Sequence, residues 1–187
     1  GSTVAALMQG IALGALVQGI EVADRQYAGG WWDWLTPFSI LTGVALVVGY
    51  ALLGATWLNL KTTGALQERA RRHALYAGAA TLALIGAVSL WTPFLNPVYF
   101  ERWFAFPTAF FSAFVPLLLA VCAVGLWWSL RTGRHLLPFV CALGFFVLSY
   151  AGLGISFYPY IVPGALTIEE AAAPDASLSF LLVLIGY

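Results

Sequence analysis

Five side chains in this sequence have the chemistry to ligate haem iron or a soft metal: Met8, His73, Cys122, His135 and Cys141. A membrane redox centre would need them at matched depth inside a helical bundle, and a proton relay would need Asp, Glu or His within the spans. Their spacing supplies neither. His73 and His135 each stand beside arginines at the start of an apolar run, the setting of a solvated helix-end residue rather than an axial ligand. Met8 is the single methionine, and no histidine shares its face of the bundle. Cys122 and Cys141 lie within apolar runs without C-x-x-C spacing, so they are expected to be packing thiols, not a metal site or a disulfide. Walker, HExxH and GxSxG motifs are missing, and the arginines cluster at run ends, which excludes a nucleic-acid-binding stripe. No catalytic, cofactor-binding or metal-ligating residue is therefore assigned. The polar groups left inside the apolar runs are Gln9, Gln18 and Asn59. Hydrogen bonding between helices, worth roughly 1 kcal/mol each, is their plain reading, and lining a substrate or water path is the sharper one.

The elements that would position these residues follow from composition. Hydrophobic residues make up 61% of the chain and charged residues 9%, against roughly 25% charged in soluble domains. This is the composition of an integral membrane protein. Long apolar runs, not ten-residue alternating strands, imply helices, because backbone amides cannot be left unpaired in hydrocarbon. The expected fold class is all-α, a polytopic transmembrane helix bundle forming one domain over residues 1–187. Five full spans are expected, near residues 3–20, 34–58, 74–92, 105–130 and 136–157. A sixth run, Ser177 to Tyr187, covers only about half of a 30 Å core at 1.5 Å per residue. It is expected to be a truncated span, and the chain a fragment of a longer subunit. The first run lacks a basic leader and contains Gln9 and Gln18, so a cleavable signal peptide is not expected.

Charge sorts the connectors. Lys61, Arg69, Arg71, Arg72, Arg131 and Arg134, six of the eight basic residues, follow the second and fourth spans. Glu21, Asp24, Asp33, Glu101, Glu169, Glu170 and Asp175, seven of the eight acids, occupy the other three links beside Arg25 and Arg102. The positive-inside rule then makes the basic links cytoplasmic and the acidic links periplasmic. Trp31, Trp32, Trp34, Trp57, Trp127 and Trp128 fall where aromatic belts form. Gly10, Gly14, Gly19, Gly43, Gly49 and Gly54 suggest close helix approach. Pro107 is placed at a helix start, whereas Pro116 should kink its span unless a neighbour satisfies the freed carbonyl.

GGWWDWLTPFSILTGVALVVGYALLGATWLNLKTTGALQERARRHA (Gly29 to Ala74), MQGIALGALVQGIEV (Met8 to Val22) and ISFYPYIVPGALTIEEAAAP (Ile155 to Pro174) together resemble subunit II of the cytochrome bd-type quinol oxidases, especially the cyanide-insensitive branch. The resemblance is collinear over essentially the whole chain, and GYALLGATWLNLKTTG and FYPYIVP are its most specific parts. It implies a bacterial inner-membrane complex that oxidises quinol and reduces dioxygen to water. It further implies a partner, subunit I, that carries b-type and d-type haems and the quinol-oxidising loop. Subunit II is then the haem-free subunit needed for assembly, with a bound quinone and a small single-span subunit left open. The family's acidic residues near the start of subunit II, implicated in proton access, are expected to belong to a part of the subunit missing from this chain, so none is transferred. Family members tend to have Trp where this chain has Glu169, which exchanges an apolar interfacial anchor for a charge.

The stretch from Phe157 through Tyr158, Pro159, Tyr160 and Pro163 is expected to end the fifth span at the interface, with tyrosines at headgroup depth. Thr167 and Glu170 have capping-box spacing, which predicts a short interfacial helix from about Ile168 to Ala173. An alternative class, a small transporter or channel with a broken helix at Pro116, would call for an inverted repeat that the sequence does not display.

Overall fold

The structure, a computed structural model, describes residues 1–23, 26–95, 99, 103, 108–158, 160–162, 166–172, 177, 179–180 and 184–185. Asp24, Arg25, Glu101, Arg102, Pro107, Pro159, Pro163, Pro174, Asp175 and most of the sixth apolar run lie outside the described residues.

Five long helices make up the fold: α1 (Ser2–Gln18), α2 (Pro37–Lys61), α3 (Gly64–Leu95), α4 (Thr108–Arg131) and α5 (Leu136–Phe157). Four helical segments are long and apolar enough to cross a membrane: α2, α3, Ala113–Arg131 of α4, and α5. With 17 residues, α1 stands at the short end of the spanning range. Two small antiparallel hairpins that hydropathy did not announce, β1 (Val22–Ala23) with β2 (Gln26–Tyr27) and β3 (Tyr160–Val162) with β4 (Leu166–Thr167), lie at one end of the bundle. A short helix, α6 (Ile168–Ala171), follows β4 where the capping-box spacing placed it.

Two boundaries differ from the hydropathy reading. The start of α2 is set by Thr36, which caps it, and by Pro37 in its first turn, not by the preceding tryptophans. Thr36 Oγ1 accepts from the Ser39 amide (3.1 Å) while Ser39 Oγ accepts from the Thr36 amide (2.8 Å), a reciprocal cap. The second difference is larger: α3 begins at Gly64, so Arg69, Arg71, Arg72 and His73 are helical and do not belong to a loop. Ala, Leu, Gln, Glu and Arg are all strong helix formers, and charge ends the membrane-compatible stretch without ending the helix. Only Thr62 and Thr63 separate α2 from α3, and Gly64 takes the left-handed φ of 65° that this tight reversal requires. Within α4 the helix runs on through Pro116, so no broken helix forms there.

Helix direction alternates along the chain. Gly10 of α1 lies against Gly43 of α2, Gly78 of α3 against Leu52 and Leu126, and Gly125 of α4 against Cys141 of α5. A Cβ added at Gly10 would come within 2.6 Å of the Gly43 Cα, and at Gly14 within 2.7 Å of the Ser39 Cα. Glycine is thus what lets α1 and α2 touch backbone to backbone. Gly54 does not serve this purpose, since a Cβ there would meet nothing within 4 Å, and Gly19 instead caps α1 at φ 89°.

Two buried clusters hold opposite ends of the bundle. Leu52, Ala55, Ala74, Leu126, Leu130, Cys141, Ala142 and Phe145 join α2, α3, α4 and α5 toward the end that carries Lys61, Arg131 and Arg134. Val17, Phe38 and Tyr99 form the other, with Leu153 and Phe157 packed against them.

Candidate functional site

The side chains capable of ligation stay apart. His73 is exposed, and its Nδ1–H donates to the backbone carbonyl of Arg69 one turn earlier (2.8 Å). His135, exposed ahead of α5, accepts at Nδ1 from the Gln67 amide (3.2 Å). The same Gln67 Nε2 donates to the Asn59 backbone carbonyl (2.9 Å), so one amide ties α3 to the end of α2 and to the α4–α5 link. Met8 faces outward from α1 at 48% exposure, away from both histidines. Cys122 and Cys141 are free thiols on facing helices. Each lies over a glycine of the other helix: an added Cβ would come 2.8 Å from the Cys122 sulfur at Gly144 and 3.1 Å from the Cys141 sulfur at Gly125. Among the described residues no group of three or more His, Cys, Asp or Glu could hold a metal ion.

Of the three intramembrane amides, two connect helices. Gln18 Oε1 accepts from the Thr36 hydroxyl, joining the end of α1 to the cap of α2. Gln9 Oε1 accepts from the Tyr50 hydroxyl (3.3 Å) at an exposed position midway along both helices. Asn59 is different: it is 1% exposed and its amide nitrogen has no hydrogen-bond partner.

Aromatics organise both ends. Lys61 stands over Trp57 (5.0 Å), Arg131 over Trp127 (5.2 Å) and Arg134 over Trp128 (4.6 Å), so the basic end carries a belt in which cations and indoles pair. At the other end the Tyr99 hydroxyl donates to the Val17 carbonyl (2.7 Å) and Trp103 Nε1 donates to the Ser156 hydroxyl (3.0 Å). Sequence reasoning missed both of these contacts. They join residues 82 and 53 positions apart, and no periodicity reports such a distance.

Between the two clusters is a partly open cavity of about 640 Å³, bounded by all five long helices. Its walls are apolar side chains with a few hydroxyls, and no charged or amide group lines it among the described residues. Thr42, Thr81 and Thr92 bond backbone carbonyls of α1 or of their own helices and are not turned toward a ligand. Among the described residues the arrangement offers a largely apolar volume and helix-to-helix fastening.

Comparison with known proteins agrees with this architecture. The sequence model of the family described as cytochrome bd terminal oxidase subunit II matches residues 1–187. The probable cytochrome oxidase subunit 2 of Haemophilus influenzae is 35% identical over 96 residues, which are 49% of this chain and 25% of that protein. The cytochrome bd-I ubiquinol oxidase subunit 2 of Escherichia coli strain K12 matches to the same extent, 35% over 96 residues. The aligned stretch thus spans a quarter of the length of these curated relatives. With a family match over its whole length and four helices able to cross a bilayer, the chain is a multi-pass membrane protein that belongs to the cytochrome bd terminal oxidase subunit II family.

Proposed function

We propose that this chain acts as a non-haem subunit of a quinol:oxygen oxidoreductase in a bacterial inner membrane, supporting the assembly and stability of a larger, haem-bearing subunit I. The observation that carries this reading is where the ligand-type side chains lie. His73 and His135 are exposed at the basic end, each engaged with a neighbouring carbonyl or amide, and Met8 faces outward. Such residues cannot clasp one haem from two sides. The b-type and d-type haems and the oxidation of quinol therefore belong to the partner, along with the cyanide-insensitive character that the sequence resemblance suggests. A bound quinone and a small single-span subunit are compatible additions.

A partner surface is supported by polarity. Gln9 and Tyr50 are exposed midway along α1 and α2, at the depth where hydrocarbon would surround them. Facing another protein helix, their remaining hydrogen-bonding capacity can be met. In the proposed orientation the belt of Lys61, Arg131 and Arg134 is cytoplasmic and the hairpin end periplasmic.

Deleting the gene for this chain should remove both b-type and d-type haem bands from membrane spectra, and plasmid-borne expression should restore them. Retention of both bands in the deletion strain would refute the assembly role.

A further inference from the structure

We propose that the outward face of α3 binds a phospholipid with an anionic headgroup, its phosphate held by Arg69 and Arg72 and one acyl chain lying along the helix below them. The inference rests on the membrane fold alone, independently of the oxidase reading. Six Lys and Arg residues stand at the basic end, and among the described residues four of them are engaged: Arg71 pairs with Glu68 (3.5 Å), while Lys61, Arg131 and Arg134 stand over indoles. Arg69 and Arg72 have no such partner. Both are exposed, and three residues apart on a helix they share one face, with the exposed Tyr76 one turn below Arg72. His73 lies on the same face, but its Nδ1–H is spent on the Arg69 carbonyl. Two guanidinium forks and a phenol hydroxyl within two turns form a donor set that suits a phosphate diester with its glycerol esters beneath.

The pattern along this face is that of a helix surface in contact with lipid. Tyr76 near one end and Trp91 and Phe94 near the other are exposed, and at 1.5 Å per residue they stand about 22–27 Å apart, close to the separation of the two aromatic belts of a bilayer. Between them the face carries Ala80, Ala83, Ala87 and Leu90, with no polar side chain. The α1–α2 face differs, since Gln9 and Tyr50 are exposed at mid-depth there. Arg72 is about 6 Å beyond Tyr76 along the axis, which puts its guanidinium in the headgroup layer. The alanines leave a strip without bulky side chains in line with the two arginines, where an acyl chain can lie against the helix. An acidic segment of a soluble protein would match the arginines but not the apolar strip. An anionic phospholipid matches both.

The test uses the complex containing this chain, reconstituted in nanodiscs of equal parts phosphatidylglycerol and phosphatidylcholine, with a mid-chain diazirine on one lipid or the other. One cation near an anionic headgroup favours binding about fivefold, so after illumination the phosphatidylglycerol probe should label Tyr76 to Ala87 about tenfold more than the phosphatidylcholine probe. Leu117, exposed on α4, should show no preference and reports that each variant has folded. Arg69→Gln with Arg72→Gln should bring the α3 ratio to about one, and either change alone should give an intermediate ratio. Arg131→Gln with Arg134→Gln removes the same charge from the same end and should leave the α3 ratio unchanged. Equal labelling by the two probes would overturn the proposal, as would an equal loss in the Arg131 and Arg134 variant, which would mark a general field rather than a site. Absence of adducts from α3 with either probe would also overturn it, because a protein partner would then cover that face.

Discussion

At the scale of single residues, glycine separates helix contacts that look alike in sequence. Gly10 and Gly54 both sit in apolar helices, yet a side chain at Gly10 collides with the α2 backbone whereas one at Gly54 projects into open space. Gly10→Leu should therefore abolish accumulation of the folded chain, while Gly54→Leu should leave its melting temperature within a few degrees, as fluorescence-detected thermal stability in detergent would show. Gly144 offers a finer comparison, because an added Cβ meets only the Cys122 sulfur at 2.8 Å. Gly144→Ala should cost about 1–3 kcal/mol by overpacking, and Cys122→Ala in the same chain should recover most of the loss. Failure of that rescue would show that the strain lies in the backbone. The thiols were legible from sequence as packing groups, but their reciprocal seating over glycines was not, since that depends on the register of α4 against α5.

At the scale of elements, four of the helices were readable because an apolar run of about 20 residues has few other stable forms in a bilayer. Their ends were read unevenly: α5 covers 136–157 as expected, whereas the starts of α2 and α3 were misplaced. Hydropathy follows where charge begins, so it stopped the third span short of a helix that continues through Arg72, Arg71 and Arg69 back to Gly64. Tryptophans drew the start of α2 toward residue 34, although Thr36, Ser39 and Pro37 fix it. Thr36→Ala should cost about 1 kcal/mol through loss of the cap, and somewhat more because Gln18 loses its partner at the same time. Circular dichroism melting of the purified protein would measure it. The hairpins escaped notice because strands of two or three residues are too short to show an alternating pattern. The basic start of α3 also bears on orientation: a reporter fused after Thr63 or Thr132 should be active only when cytoplasmic, and activity of a periplasmic reporter at either position would reverse the proposed sidedness.

At the scale of the whole molecule, the cavity was not legible in the sequence, because it depends on how all five long helices pack together. The hairpin end contains FYPYIVP, one of the segments that carry the resemblance, and there Tyr158 is 70% exposed beyond the end of α5. Replacing Tyr158 and Tyr160 by Ser should reduce the yield of assembled complex several-fold without changing turnover per haem, and an unchanged yield would remove that end from assembly. The central claim, a haem-free subunit beside a haem-bearing partner, is tested most directly by reduced-minus-oxidised visible spectra of the purified complex and of this chain alone. The account predicts b-type and d-type bands in the complex and none in the isolated chain. Haem bands from the isolated chain, or a purified complex without them, would contradict it.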